Sequence, residues 1–135
     1  VRLTARLLVG IVLLAAGALK AMEPSLTVMA VGAYGILPPH AALVVAFLLP
    51  GVEIAVGAAL LTGFQLRGAA LLAMTLSAVF LFAIGWAQVQ SLDIACGCFG
   101  RLSPALESGW ATALLDVAML AASLFVWRGA RPTAR

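Results

Sequence analysis

"AALVVAFLLPGVEIAVGAALLTGF" (residues 41–64) is an almost unbroken apolar run with one carboxylate, Glu53, near its middle. A helix that crosses a membrane needs about 20 mostly apolar residues, so this stretch reads as a span. Alternating soluble strands would not give a run so long and even. Three more runs of the same kind surround it: "LTARLLVGIVLLAAGALKAM" (3–22), "GAALLAMTLSAVFLFAIGWA" (68–87) and "WATALLDVAMLAASLFVW" (110–127). The last has Trp110 and Trp127 at its two ends, where interfacial aromatic residues commonly sit.

The rest of the composition agrees with an all-α, polytopic membrane protein folded as a four-helix bundle. Of 135 residues, 64% are hydrophobic and 10% charged, against roughly 45–50% and 25% in soluble domains, and the mean hydropathy is +1.17. The length suits a single domain over residues 1–135. Although the isoelectric point is near 9.5, the basic residues are scattered at span ends rather than gathered on a face, which argues against nucleic acid as a partner. Membrane topology explains them better. Placing consecutive connections on alternate sides puts Arg2, Arg6, Arg67, Arg128, Arg131 and Arg135 on one side and Lys20 and Arg101 on the other. The positive-inside rule then predicts both termini in the cytoplasm. On this reading Arg6 and Lys20 snorkel outward from opposite ends of the first span.

Arg2 and Arg6 ahead of "LLVGIVLLAAGAL" also fit a secretory signal peptide. We read the stretch as a retained span, because its removal would leave three spans with Lys20 at the new amino end. The first outer connection contains "PSLTVMAVGAYGIL" (24–37), too short to span but apolar enough for a short helix at the interface or folded back over the bundle.

Elaborated loops often carry function, and the connection from Gln88 to Gly109 holds the chain's two cysteines, in "CGCFG" (96–100). On the outer face of a bacterial cytoplasmic membrane such a pair meets an oxidising environment and is a disulfide candidate. Cysteines at i and i+2 close a small ring that imposes unusual dihedrals on the residue between, which Gly97 tolerates best. So short a staple adds little loop-closure stabilisation, and strained or exposed disulfides are the labile ones. Cys96 and Cys98 are therefore candidate exchange residues, with Gly97, Phe99 and Gly100 supporting the loop. Two other readings stand beside this: inert thiols or a structural clip, and a soft-metal site drawing on His40, Met22 and Met29. No ligand spacing supports the latter, and no metal site is predicted.

Glu53 and Asp116 fall inside spans, about 20 Å and about 10 Å along their helices from the outer end at 1.5 Å per residue. A carboxylate at a span's centre costs about 2.5–3.5 kcal/mol on insertion scales, so neither should face lipid. Lys20 is the nearest basic candidate to pair with them. They are candidate proton-exchange or polar sites, one option being contact with a quinone headgroup; the alternative is a polar contact that fixes helix packing. Pro50 and Gly51, one turn before Glu53, can free backbone groups for such a contact. Gly10, Gly17, Ala55 and Ala59 read as small residues that let helices approach closely.

Taken together, the basic amino end leading to "AGALK" (16–20), "LPGVEIAVGAALLTG" (49–63) and "CGCFG" before a last span with an acidic residue resembles the MauE-like branch of the DoxX-like membrane proteins. "CGCFG" between spans three and four is the most specific part. The resemblance implies a four-span bundle in the bacterial cytoplasmic membrane. It also implies a methylamine-utilisation role, supporting an extracytoplasmic thioredoxin-like partner that forms disulfides in an exported enzyme. Cys96 and Cys98 would be the exchange pair.

The leading expectation is thus a membrane thiol–disulfide component, an oxidoreductase component if it is an enzyme. With only one cysteine pair it would depend on a partner for the shuttle. The competing expectation is a non-catalytic anchor or assembly subunit of a quinone-linked oxidoreductase, and a small transporter ranks third because no discontinuous-helix repeat is evident. There is no G-x-G-x-x-G, no P-loop and no C-x-x-C-H, so no tightly bound cofactor is expected, a quinone being compatible. The lipid bilayer is the obligatory partner, and a homo-oligomer is compatible with the sequence.

Overall fold

A computed structural model describes residues 1–91 and 109–131. All of its regular structure is helical: α1 (Arg2–Met22), α2 (Pro24–Ala33), α3 (Pro39–Thr62), α4 (Leu66–Val89) and α5 (Gly109–Gly129). Among the described residues, α1, α3, α4 and α5 are long and apolar enough to cross a membrane. The short helix expected between the first two spans is α2, and it stops at Ala33 rather than Leu37.

The span ends follow from local chemistry. α3 begins at Pro39, two residues before the expected start, because proline is preorganised for the first turn and its missing N–H would have no partner there. It stops at Gly63, whose φ of +80° is the left-handed cap that favours glycine, and whose N–H donates to Ala59 O. Gln65 adopts φ 43° at the start of α4, completing a turn so tight that α3 and α4 must lie antiparallel. Between α1 and α2 the chain breaks at Glu23 (φ −127°, ψ 69°), since a residue before proline is pushed out of the helical region. The buried Thr27 hydroxyl lies 3.2 Å from both Lys20 O and Glu23 O and shares its one hydrogen between them; Lys20 O is a carbonyl that the end of α1 leaves open, whereas Glu23 O also accepts the Thr27 N–H.

The four long helices form an up-down-up-down ring in which α1 packs on α3 and α5, and α4 on α5 and α3. α3 and α4 touch least of these pairs, and α2 lies chiefly against α3. One end of the ring gathers arginines: Arg2 stacks over the Phe125 ring at 5.8 Å and Arg67 over the Trp127 ring at 5.2 Å. Next to this end the core is Val9, Leu13, Val56, Leu60, Ala69, Ala70, Ala73, Met119 and Val126. On the surface, the exposed hydroxyls of Thr62 and Thr75 donate to Ala58 O and Leu71 O, one turn back, as a hydroxyl facing hydrocarbon must.

Close approach concentrates on the α1–α3 seam. A methyl group added at Gly57 would stand 2.8 Å from Gly10 O and from Leu14 N, and one at Gly17 would stand 2.9 Å from Pro50 O. Gly10 and Gly17 thus do what small residues in a span were expected to do. Ala55 does not: it is exposed, and Gly57 takes the seam position instead. The two lie on different faces because two residues turn a helix by about 200°.

Candidate functional site

At mid-span every long helix contributes a buried polar side chain to one layer: Lys20 from α1, Glu53 from α3, Ser77 from α4, and Thr112 and Asp116 from α5. Lys20 Nζ donates to Glu53 Oε1 at 2.7 Å. Glu53 is fully buried and Lys20 is 7% exposed. This corrects the expectation that Lys20 snorkels outward. Its side chain turns inward because a helical side chain leans toward its own amino end, which brings the ammonium down from the last turn of α1 to the level of Glu53. There the ion pair replaces water as the counter-charge. The ammonium also sits 5.0 Å from the Phe80 ring centroid, a further contact that a buried cation gains from an aromatic face.

Lys20, Glu53, Ser77, Thr112 and Asp116, with Phe80 and apolar neighbours, line a small pocket of about 20 Å³. That is the room one water requires. Asp116, 7% exposed, lines this pocket as Glu53 does, so two carboxyls and one ammonium share a confined space. The remaining oxygen of Glu53, Oε2, is buried without a hydrogen-bond partner among the described residues. Uptake or loss of a single proton therefore changes the charge of the whole layer by one unit, in a medium where such a change is costly.

Ser77 and Thr112 join the layer without having stood out in the sequence. Thr112 carries a usable signal, because it stands four residues before Asp116 and so shares its face of the helix. Ser77 carries none.

Cys96, Gly97, Cys98, Phe99 and Gly100 lie outside the described residues. Their flanks are described: α4 ends and α5 begins at the end of the bundle opposite Arg2, Arg67 and Arg128. Met22 and Met29 are 77% and 69% exposed, and His40 is exposed too. Among the described residues no group of three or more His, Cys, Asp or Glu is placed to hold a metal ion.

No curated protein and no solved structure matches the chain. A family model, described as methylamine utilisation protein MauE, matches residues 1–129 and so covers all four spans, the polar layer and the cysteine segment. The chain is a multi-pass membrane protein that belongs to the MauE family.

Proposed function

We propose that this protein is the membrane partner in an extracytoplasmic thiol–disulfide pathway, with Cys96 and Cys98 as its exchange pair. The observation that carries the reading is the position of "CGCFG" (96–100) between two spans, in the connection opposite the arginine-bearing end. The positive-inside rule supports an arginine end in the cytoplasm and a cysteine segment on the oxidising side of a bacterial cytoplasmic membrane. Family membership supports a methylamine-utilisation setting, in which a thioredoxin-like protein and an exported enzyme would be partner and client.

The chemistry is thiol–disulfide exchange. A partner thiolate attacks one sulfur of the Cys96–Cys98 disulfide, forming a mixed disulfide and releasing the other sulfur as a thiolate; the partner's second thiolate then attacks the partner's own sulfur in the mixed disulfide, closing the partner's disulfide and expelling the remaining Cys96 or Cys98 sulfur as a thiolate. The partner leaves oxidised and the Cys96/Cys98 pair becomes a dithiol. It returns to the disulfide by passing two electrons and two protons to a membrane acceptor. Proton exchange through the layer of Lys20, Glu53 and Asp116 is the role this reading gives to those residues.

Trapping tests it. A Cys98→Ser variant expressed with its native partners should accumulate a reductant-sensitive mixed disulfide through Cys96, or the reciprocal Cys96→Ser variant one through Cys98. Absence of any adduct in both variants, at normal abundance, would defeat the exchange role. The presence of a single cysteine pair favours a second reading, a membrane anchor or assembly subunit. Partner association that survives Cys96→Ser/Cys98→Ser without any mixed disulfide would establish it.

A further inference from the structure

We propose that the apolar pocket bounded by α2, α3 and α4 binds the ring of a membrane quinone, with the carbonyl end directed at Lys20. The pocket has a volume of about 370 Å³, within the roughly 300–1,000 Å³ typical of small-molecule sites. It opens where the ring of helices is loosest, along the α3–α4 seam, and α2 covers it. Its walls are aliphatic and aromatic, and Lys20 and Tyr34 are the two polar residues that line it. Such a lining disfavours a strongly hydrated ligand and leaves the Lys20 ammonium as a point that can orient a polar atom.

The direction of polarity identifies the occupant. Along α3 the pocket residues are Val45 and Leu49, and the next turn toward mid-span brings Glu53. On α4, in the same direction, Ala83 and Val79 lead to Ser77. Lys20 and Phe80 line both spaces, so the inner end of the pocket is the wall of the polar layer. The polar end is thus the deep end. A phospholipid has the reverse arrangement, with its headgroup at the interface and its methyl ends at mid-bilayer, and would set hydrocarbon against the charged layer.

A quinone fits the observed order. Its ring is apolar enough to travel within the bilayer and carries carbonyl oxygens that only accept hydrogen bonds. The Lys20 ammonium has three donors, one of them used on Glu53 Oε1. A carbonyl at the inner end can therefore be met without breaking the ion pair, while Phe80 and Phe82 line the same pocket. This site does not depend on the cysteine pair, although it would supply the acceptor that the exchange pathway requires.

The test uses the full chain in quinone-free phosphatidylcholine nanodiscs with a photoreactive azido-ubiquinone, competed by decylubiquinone, and maps the adducts by mass. Adducts are expected on residues 79–83 and 30–37, removable by the competitor. Ala83→Trp and, from the facing helix, Val45→Trp should fill the pocket and weaken decylubiquinone binding about tenfold or more, a loss of about 1.4 kcal/mol or more, without lowering the melting transition. Adducts scattered over the outer surface of the bundle would overturn the proposal. So would unchanged affinity in both tryptophan variants. Binding that persists in Cys96→Ser/Cys98→Ser is expected here, so loss of thiol trapping alone would sink the exchange reading and not this site.

Discussion

Between the arginine-bearing end and mid-span, the helices meet through Val9, Leu13, Val56, Leu60 and three alanines of α4, with Gly10 and Gly57 letting α1 and α3 touch backbone to backbone. From mid-span to the other end the same helices also hold between them a lysine, two carboxyls and a 370 Å³ pocket. A bilayer makes that contrast informative. Lipid tails are as apolar as leucine, so association in the first half must come from close van der Waals packing. A bundle built only for stability would continue that packing to its other end. Here it persists at Gly17, Ala42, Ala46, Ile84 and Ala87 but is interrupted by charge and open volume, at the end where α4 and α5 are joined through the cysteine segment. The division supports stability in one half and function in the other.

Breaking the ion pair gives the largest expected effect. Lys20→Met or Glu53→Leu alone leaves an uncompensated buried charge and should lower stability by about 3–5 kcal/mol, whereas the double replacement should come close to the parent chain. Equilibrium unfolding in mixed micelles measures all three. If the double variant regains stability but not thiol exchange, the polar layer serves function; if it regains both, the layer is a packing device and the contrast between the halves loses its meaning.

Next comes the seam. Gly57→Ala forces a methyl group into the space between Gly10 O and Leu14 N, and should cost about 1–3 kcal/mol as overpacking does. Gly51→Ala and Gly85→Ala, where nothing lies within 4 Å, should be neutral or stabilising by up to about 1 kcal/mol. Equal effects at the three positions, read from the same unfolding curves, would show that the first half is not held by close approach. The smallest change is Thr27→Val, which removes the hydroxyl bonded to Lys20 O and Glu23 O and should cost about 0.5–1.5 kcal/mol. Its effect should be confined to the α1–α2 junction, as faster amide exchange there.

How much of this the sequence displays depends on the kind of signal. Four spans and α2 are legible because uninterrupted apolar length is a property of the chain itself. Their limits shift by about two residues where a cap decides them, as at Pro39, Gly63 and Gln65, because helix ends fray and the last turn is set by local geometry rather than by hydropathy. Glu53 and Asp116 stand out because a carboxylate in an apolar run is costly wherever it points. Lys20 is harder, since a lysine at a span end can snorkel either way and only the carboxylate on a neighbouring helix decides. Whether Ala55 or Gly57 meets α1 is a matter of helix phase, which nearly uniform apolar faces do not reveal. The pocket is invisible in sequence because it arises from α2 and two helices that touch little.

Labelling in intact cells decides whether the proposed Cys96–Cys98 pair is oxidised and faces outward. A membrane-impermeant maleimide is applied with and without prior reduction, and adducts on the two cysteines are counted by mass. Labelling of both only after reduction is the expected result. Labelling that requires cell lysis would put the cysteine segment on the cytoplasmic side and contradict the topology and the exchange role together.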